Sequence, residues 1–461
     1  MTDTIWLPDL SRHDGPKYQA LAVALREAVR RGDLAEGARL PTVRDLAWRL
    51  GMTPGTVVRA YQIATQEGLL SGEVGRGTFV LPQGAPPPSL VVPDPGARVI
   101  DLRSPELPEV GQMAVFARAL RGMAERIDTG WLHYPSQESE APLRAAVIEW
   151  LGDRVLGPAG PEDVVLVNGG QNALGLVFQA VLKGAQPAIA VEDLAYPGMR
   201  HAAALMRAEP VAVEMDDEGM RPAALDALCR RRAVQLVCLT PQAQNPTTAC
   251  MSAVRRMEIA AVARAHRIQI LEDDCYAVAD SELPTLHALA PELTWYVGSL
   301  SKSIAAGLRF GYVLCPTGRG EAGRQIAQQS YFALARPVAD LCLDLLTSGA
   351  ARRIRRDVQA ELAPRLRMVV NMLGAYDLSW QAGVPFVWLR MPRGWRASSF
   401  LARAEAEGIL LRSADLYALI HDRAPNAVRL ALSGLVPRPR FEAALETLGR
   451  LLAVPPQELG V

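Results

Sequence analysis

Residues 299–312 read SLSKSIAAGLRFGY and overlap the end of the strand-like run WYVGS at residues 295–299. The lysine in this stretch stands out, because only three of the 49 basic residues in the chain are lysines: Lys17, Lys183 and Lys302. Arginine cannot lose its proton in a protein, whereas a desolvated lysine becomes a free amine that forms a Schiff base with an aldehyde. The stretch therefore predicts that Lys302 reacts with a carbonyl group.

The residues around Lys302 suit a phosphate group. Ser299 and Ser301 offer hydroxyl groups, and Arg309 offers a planar guanidinium that can bind a phosphate dianion. With Arg309 seven residues after Lys302 and followed by Phe-Gly-Tyr, the stretch resembles the cofactor-lysine motif of fold-type I aminotransferases. This resemblance implies that Lys302 is the catalytic residue and binds pyridoxal 5′-phosphate (PLP) as an aldimine, with Ser299, Ser301 and Arg309 at the phosphate.

Strand-like runs alternate with helical segments along most of the chain. Short β-branched runs lie between segments rich in Ala, Arg and Leu; they are VVLV (164–167), AIAV (188–191), LVCL (236–239), IQIL (268–271) and WYVGS (295–299). Such alternation is typical of βαβ units and of a parallel sheet. Together with the lysine motif, it predicts that residues 99–461 form an α/β domain of the fold-type I, PLP-dependent aminotransferase type with a mostly parallel central sheet.

Two further motifs precede the lysine at the positions that this family uses. In VLVNGGQNALGLVF (165–178) a strand breaks at glycines and a helix begins, so the N–H groups of Gly170 and Gln171 would face an anion, although an ordinary strand-to-helix turn has the same pattern. Tyr196, in VEDLAYPG (191–198), resembles the aromatic residue that stacks on the pyridine ring, although such a tyrosine also occurs in ordinary packing. The resemblance implies that all three residues contact the cofactor.

Two motifs would hold the polar edge of the cofactor ring. Asn245 lies in a segment similar to the family's N-P-T-G, with Thr248 in place of the glycine, and would bind the ring hydroxyl. Asp273 would keep the pyridine nitrogen protonated, while Tyr276 would join Asn245 on the ring oxygen. Asp274 is a competing candidate for the carboxylate, and the D-x-x-Y spacing of the family favours Asp273.

Two residues would complete the site of this domain. Arg429, in NAVRLALSG (426–434), lies between apolar neighbours where a planar guanidinium can bind an α-carboxylate through two hydrogen bonds, and it resembles the family's substrate-binding arginine. A structural role would require a buried partner. Tyr134 resembles the tyrosine that crosses the dimer interface to the phosphate, with Ser139 in the place of the family's glycine.

The first 80 residues have a different pattern. An amphipathic helix is predicted over residues 18–31, a second over 43–50 ending at Gly51, and a third from Thr53 and Pro54 to about Glu67. Two helices joined by a short turn form a helix-turn-helix. The following segment VGRGTFV (74–80), with glycines on both sides of an arginine, predicts a small β-hairpin wing.

This order of elements resembles the winged-helix domain of the GntR family of bacterial repressors over nearly all of residues 16–80. The resemblance implies contacts to double-stranded operator DNA from six residues: Arg44, Thr53, Thr56, Arg59, Arg76 and Gly77. Val58 and Pro54-Gly55 depart from the family's usual residues, so base recognition is expected to be unusual. The alternative is that these arginines lie on a solvated accessory domain.

Composition limits the class of protein. Basic and acidic residues balance at 49 each, which argues against general polyanion binding. The six scattered cysteines indicate neither a disulfide framework nor a metal site. No signal peptide and no apolar run of roughly 20 residues is present, so we expect a cytoplasmic protein with no membrane contact. Residues 81–98 contain six prolines and two glycines and are predicted to link residues 1–80 to residues 99–461.

The combination of winged helix, proline-rich linker and aminotransferase-like domain resembles the MocR subfamily of GntR regulators. The resemblance implies a head-to-tail homodimer in which a small amino acid or amine effector displaces Lys302 from PLP and thereby regulates transcription. Two alternatives remain open. One is an active aminotransferase with an attached DNA-binding domain, and the other is a regulator that senses PLP itself.

Overall fold

The computed structural model describes residues 6–10, 16–66, 69–73, 77–80, 99–276, 281–419 and 424–454. The chain forms two compact units, Met1–Asp94 and Pro95–Val461, here called the N-terminal unit and the large unit. The predicted linker, residues 81–98, lies outside the described residues. Among the described residues, no helix is both long enough and apolar enough to cross a membrane.

The N-terminal unit has the predicted order of three helices and a hairpin: α1 (Lys17–Arg31), α2 (Val43–Arg49), α3 (Pro54–Gln66), β1 (Leu70–Glu73) and β2 (Gly77–Val80). Helix α1 ends at Gly32, which adopts a positive φ of 79° that glycine tolerates without strain. Helix α2 begins after Thr42, whose hydroxyl accepts the Asp45 N–H at 3.3 Å. Strands β1 and β2 pair antiparallel, so the described part of the predicted wing is a hairpin.

Apolar side chains from all three helices hold this unit together. Leu21 and Leu25 of α1, Leu46 of α2 and Val57 of α3 are fully buried in one cluster. Their helical spacing matches the predicted amphipathic faces. The packing fixes α2 against α3 and leaves the opposite faces of both helices in solvent.

The large unit is built on a sheet of seven described strands: β4 (Val164–Val167), β5 (Ala188–Glu192), β6 (Glu209–Val213), β9 (Val234–Leu239), β10 (Gln269–Asp273), β11 (Thr294–Ser299) and β12 (Gly311–Leu314). Their order is β4-β12-β11-β10-β9-β5-β6. Strand β12 is antiparallel to both neighbours, and the other neighbouring pairs are parallel. The predicted α/β domain with a mostly parallel sheet is confirmed.

Helices cover both faces of this sheet, which explains why the strands are continuous apolar runs. In β4, Val164 and Leu166 join one buried cluster while Val165 and Val167 join another. The described helices are α4 (Gln112–Ala124), α5 (Gln137–Trp150), α6 (Gly170–Val181), α7 (Pro197–Leu205), α8 (Pro222–Arg231), α9 (Ala253–His266), α10 (Leu286–Leu289), α11 (Gly320–Tyr331), α12 (Arg336–Thr347), α13 (Ala350–Leu373), α14 (Ala397–Ala406) and α15 (Arg438–Ala453).

Shorter strands complete the large unit. An antiparallel sheet in the order β13-β14-β17-β16 is formed by β13 (Leu378–Ser379), β14 (Phe386–Arg390), β16 (Arg412–Ser413) and β17 (Ala427–Ala431). Strand β3 (Ile100–Asp101) pairs parallel with β15 (Ile409–Leu410), and β7 (Met215–Asp216) pairs with β8 (Gly219–Met220). The smaller sheet matters for function because it places Arg429, on β17, beside residues that follow the central strands.

Candidate functional site

Lys302 lies in the turn that follows β11, at the carboxyl end of a central strand, where ligands bind in open parallel sheets. Its side chain is partly buried. Burial lowers the pKa of the Lys302 amine to about 8, and the positive charge of Arg429 adds to this effect. About a tenth of the amine is therefore neutral at pH 7, far more than for an ordinary lysine, and only the neutral form reacts with an aldehyde.

Asp273 and Asp274 have different surroundings at the end of β10. Asp274 accepts hydrogen bonds from Arg154 Nε at 2.9 Å and from the Tyr296 hydroxyl at 2.6 Å. Asp273 accepts the Cys275 N–H at 3.0 Å, and no described Lys, Arg or His forms an ion pair with it. Burial raises the pKa of the Asp273 carboxyl group. Asp273 therefore stays the candidate for the cofactor nitrogen, while Asp274 is held in a buried network.

Arg429 is 4% exposed and contacts the predicted site directly. Its Nη1 donates to Asn245 Oδ1 at 2.8 Å, and its Nη2 donates to the Arg103 carbonyl at 2.7 Å. The Phe386 and Tyr417 ring centres lie 5.0 Å and 5.1 Å from its guanidinium carbon. Among the described residues, no carboxylate lies within 4 Å of this guanidinium, and its buried Nε has no acceptor. Arg429 thus has neutral hydrogen-bond partners of the kind that a structural role would require, but within the described residues no acidic group balances its charge.

The Arg429 contact also orients Asn245. Because the amide oxygen accepts from Arg429, the amide nitrogen is the donor that can face a ligand. Asn245 follows β9, and the peptide bond from Asn245 to Pro246 is cis. Tyr276 lies edge-on to Phe386, with ring centres 5.1 Å apart, and burial raises the pKa of its phenol. A protonated Tyr276 and the Asn245 amide are both hydrogen-bond donors suited to a ring oxygen.

The predicted phosphate end of the site combines a helix start with an arginine. Helix α6 begins at Gly170, and a Cβ atom at the preceding Gly169 would lie 2.9 Å from Arg309 Nη2. A Cβ at Gly170 would lie 2.8 Å from Cys275 Sγ. A side chain at either position would therefore displace these neighbours, and Gly169 also has a positive φ of 81° that glycine adopts without strain. The Gln171 side chain donates to the Gly198 carbonyl at 3.0 Å, and its Oε1 has no partner among the described residues.

The two serines beside Lys302 have different contacts. Ser299 Oγ donates to the Phe310 carbonyl at 3.0 Å and accepts the Ser301 N–H at 3.1 Å, so Ser299 shapes the turn. Ser301 Oγ is buried and has no partner among the described residues. Such an orphaned hydroxyl costs free energy unless a ligand satisfies it. Ser301 is therefore the better placed of the two for a phosphate oxygen.

Tyr196 and Tyr134 lie in contrasting surroundings. Burial raises the pKa of the Tyr196 phenol, and the nearby Asp273 charge adds to the rise, which places Tyr196 in the cluster around Lys302. Tyr134 is 81% exposed and stacks on Phe332, with ring centres 5.1 Å apart. Within the described residues, no hydrogen bond, ion pair or ring contact joins Tyr134 to the Lys302 cluster.

The predicted DNA contacts lie on and around α2 and α3 of the N-terminal unit. Arg44 is exposed. Thr53 Oγ1 accepts the Thr56 N–H at 3.4 Å, so these two threonines form the start of α3. The Arg59 guanidinium carbon lies 3.9 Å from the centre of the Tyr18 ring, so Arg59 packs on α1.

The remaining two predicted DNA contacts belong to the wing. Gly77 begins β2 and pairs with Glu73 across the hairpin. Arg76 lies outside the described residues. Its predicted DNA contact stays a prediction, as do the other five.

Four residues of the site were not anticipated from the sequence: Arg103, Cys275, Arg412 and Tyr417. Arg412 Nε donates to the Arg103 carbonyl at 2.9 Å, the same oxygen that Arg429 contacts. Cys275 follows the two aspartates and contacts Gly170. The Asp-x-x-Tyr spacing could have drawn attention to Cys275. The arginines carry no such signal, because 46 of the 49 basic residues (49 minus three lysines) are arginine.

The described residues fit PLP. The cluster offers an amine of lowered pKa at Lys302, a buried carboxylate at Asp273, an orphaned hydroxyl at Ser301 and a guanidinium at Arg309. These groups match the aldehyde, the pyridine nitrogen and the phosphate of that cofactor.

Comparisons with known proteins agree with this geometry. Residues 97–434 match the family described as aminotransferase class I and II, and residues 17–80 match the bacterial regulatory proteins of the gntR family. The fold is similar to that of an archaeal alanine:glyoxylate aminotransferase, with a TM-score of 0.70 and 20% identity over 78% of this chain and 91% of that one. The PLP of the aminotransferase family is therefore the cofactor of this fold.

Two transcription regulators are similar to the chain. An uncharacterized HTH-type transcriptional regulator of Bacillus subtilis, YdeF, is 26% identical over 97% of this chain and 96% of its own length. The HTH-type pyridoxine biosynthesis transcriptional regulator PdxR of Corynebacterium glutamicum is 29% identical over 77% of this chain and 78% of its own length. The chain therefore belongs to the class I and II aminotransferase family and carries an N-terminal gntR-family helix-turn-helix domain, the combination that the MocR resemblance predicts.

Proposed function

We propose that this protein is a PLP-dependent transcription regulator that binds operator DNA through its winged helix and senses a small amino acid in the large unit. The observation that carries the proposal is the buried Arg429 guanidinium, which contacts Asn245 and has no carboxylate partner among the described residues. The carboxylate of an amino acid would supply that partner through two charge-assisted hydrogen bonds. The gntR-family domain on the same chain would provide the DNA binding through which the regulator acts.

Each residue of the cluster has a proposed task. PLP, when bound, supplies an aldehyde that condenses with a primary amine. Lys302 would be the amine that holds the cofactor, and its amine can accept a proton because its pKa is about 8. Asp273 would hold the proton of the pyridine nitrogen. Asn245 and Tyr276 would donate to the ring oxygen, and Tyr196 would contact the ring.

The phosphate requires a separate set of donors. We propose that the Ser301 hydroxyl, the Arg309 guanidinium and the N–H groups of Gly170 and Gln171 at the start of α6 bind it, with Ser299 holding the turn and adding a weaker contact. None of these groups needs the effector. Cofactor binding and effector binding can therefore be measured separately.

We further propose that the protein is a head-to-tail homodimer. Tyr134 is exposed and lies apart from its own chain's cluster, which supports a role at the phosphate of a second copy. Two copies also suit an operator of paired half-sites, because one winged helix with ten basic and nine acidic residues in positions 1–80 makes few phosphate contacts. A fragment of residues 1–80 that protects as long a DNA segment, with equal affinity at matched salt, would refute the dimer.

The same residues would also suffice for transamination, so an active aminotransferase with a DNA-binding domain is the second candidate. The absorbance of the bound cofactor, followed during titration with amino acids, separates the two functions. A sensor gives a stable spectral change that saturates without product. An aminotransferase converts the cofactor to pyridoxamine phosphate and releases a keto acid. No spectral response to any amino acid would indicate a regulator that senses PLP itself.

A further inference from the structure

Arg412 lies directly opposite Arg429 in the smaller sheet. Strand β16 pairs antiparallel with β17, and in this register Arg412 and Arg429 are cross-strand neighbours. Directly opposite residues project their side chains from the same face of a sheet, and like charges in this position destabilise the pair. The position of Arg412 is therefore unfavourable for the protein alone.

A shared acceptor holds the two arginines together. Arg412 Nε and Arg429 Nη2 donate to the same Arg103 carbonyl oxygen, at 2.9 Å and 2.7 Å. The nearest acidic group on this segment is already occupied, because Asp101 accepts from Arg103 Nε at 3.0 Å and from Arg103 Nη2 at 2.8 Å. The backbone thus fixes two guanidinium groups beside each other without neutralising them.

No described carboxylate lies within 4 Å of either the Arg412 or the Arg429 guanidinium. Arg154 shows the contrasting arrangement, since this buried arginine lies 2.9 Å from Asp274 and 3.5 Å from Asp153. Burial lowers the pKa of Arg412, and the neighbouring charges of Arg429 and Arg103 lower it further, against opposing effects of Tyr417 and Asp101. Positive charge is therefore in excess around Arg412 and Arg429.

This excess charge reaches the predicted cofactor position. The charges of Arg309 and Arg412 both oppose the rise that burial and Asp273 cause in the pKa of the Tyr196 phenol. Arg429 acts in the same way on Lys302. Both arginines of the pair therefore lie near enough to the cluster around Lys302 to act on its charges, and Arg429 also contacts Asn245 directly.

We infer that the effector is an acidic amino acid, whose α-carboxylate binds Arg429 and whose second anionic group binds Arg412. This inference rests on the proposed function, because it specifies which amino acid class the sensor takes. A second carboxylate, or another anion of similar size, satisfies the second guanidinium and relieves the repulsion between the two arginines. A neutral side chain leaves that repulsion in place.

The test compares acidic amino acids with neutral counterparts of nearly equal size. The full-length PLP-bound protein is titrated with L-glutamate and L-glutamine, L-aspartate and L-asparagine, and L-2-aminoadipate and L-norleucine, while the cofactor absorbance is followed. We expect at least one acid to bind about ten- to a hundredfold more tightly than its neutral counterpart. This is the gain in affinity that one charge-assisted hydrogen-bonding group provides.

A variant localises this preference. Arg412→Gln is expected to reduce the acid preference to within about threefold, because only the second anionic group loses its partner. Arg232→Gln is the matched control, because Arg232 lies far from Arg412 in the sequence and its exposed guanidinium pairs with Glu209. We expect this variant to keep the preference for acidic amino acids. The absorbance of bound PLP verifies that each variant is folded and loaded.

The outcomes separate the inference from the function on which it rests. Tighter binding of the neutral amino acids, or an equal response to both members of every pair, overturns the acidic effector while leaving an amino acid sensor intact. An Arg412→Gln variant that weakens acid and neutral amino acids equally also overturns it, because both arginines would then bind one carboxylate. If no amino acid changes the absorbance, the proposed function itself fails.

Discussion

Two carboxylates at adjacent positions, Asp273 and Asp274, illustrate the difference between a structural and a functional region of this protein. Adjacent residues at the end of a strand project in opposite directions. Asp274 meets Arg154 and Tyr296, and each of these contacts is a complete charge-assisted hydrogen bond. Asp273 projects into the cluster with Lys302, where Ser301 Oγ and Arg429 Nε are buried without a hydrogen-bond partner among the described residues and no described carboxylate pairs with Arg429. Opposite charges are paired within the chain in the first region, whereas the arginine charge in the second region is left for a ligand to balance.

Buried charges that stabilise the fold can therefore be separated from buried charges that bind a ligand by their partners. A buried charge without a counter-charge destabilises a fold, so a buried guanidinium that has no described carboxylate beside it marks a candidate site for an anionic ligand. The Arg154 network should therefore determine stability with little effect on ligands. The Lys302 cluster should determine ligand binding with little effect on stability.

The largest effect is expected from Lys302→Ala, which should abolish covalent attachment of PLP while the protein stays folded. The phosphate contacts proposed for Ser301 and Arg309 do not depend on the lysine. Borohydride reduction followed by mass spectrometry measures the attachment, and Lys183→Ala, at an exposed lysine, is the matched control. A reducible PLP adduct that persists in Lys302→Ala would show that another group holds the cofactor.

The next effect concerns the two aspartates. Asp274→Ala leaves the buried Arg154 without its nearer carboxylate and should lower the free energy of unfolding by about 3 kcal/mol. Asp273→Asn should change it by less than about 1 kcal/mol, because burial already disfavours the charge there, but should alter the absorbance of bound PLP. Chemical denaturation and spectroscopy of both variants provide the measurements. The reverse pattern would exchange their roles.

A smaller effect is expected from Arg429→Lys. Lysine keeps the charge but cannot donate two parallel hydrogen bonds to a carboxylate, so effector affinity should fall about ten- to a hundredfold. PLP loading is the internal control and should be unchanged, since the residues proposed to bind the phosphate lie elsewhere. Unaltered midpoints in the absorbance titration would mean that Arg429 is structural, in spite of its missing acidic partner.

The smallest effect is a pH dependence. Only the neutral Lys302 amine reacts with an aldehyde, and its pKa of about 8 means that the rate of PLP attachment to the apo-protein should rise about fivefold between pH 7 and pH 8. The lowered pKa also means that the unfolded chain binds more protons than the native apo-protein between pH 8 and the ordinary lysine pKa. Stability should therefore rise with pH in that window.

Arg429 provides a check on this assignment. Its charge is the second cause of the low lysine pKa, so Arg429→Gln should shift the midpoint of the attachment rate to higher pH. Stopped-flow absorbance over a pH series measures both profiles. A midpoint near pH 10 in the unaltered protein would contradict the buried environment of Lys302.

The fold and much of the site could be predicted from particular residues. Lys302 was conspicuous because lysine is rare in this chain, and the strands were visible because a sheet covered on both faces requires continuous apolar runs. Asp273 followed from its spacing to Tyr276. The sequence could not show that Arg154 donates a hydrogen bond to the Asp274 carboxylate, because 120 residues separate that pair.

Other features were hidden for physical reasons. Arg412 lies on a two-residue strand, and its position opposite Arg429 depends on a register that no local pattern reveals. Ser299 and Ser301 look equivalent in the sequence. Only the folded turn shows that the Ser299 hydroxyl donates a hydrogen bond to the Phe310 carbonyl. The role proposed for Tyr134 would depend on a second copy of the chain, so neither a local pattern nor one folded chain defines it.

The most direct test of the sensor is whether one amino acid changes both the cofactor and DNA binding. The full-length protein is titrated with each standard L-amino acid, and PLP absorbance and affinity for its own upstream DNA are measured at the same salt concentration. We expect that an amino acid that shifts the absorbance also changes DNA affinity, with coinciding midpoints, because both report one linked equilibrium. DNA affinity that stays constant while the absorbance saturates would contradict it.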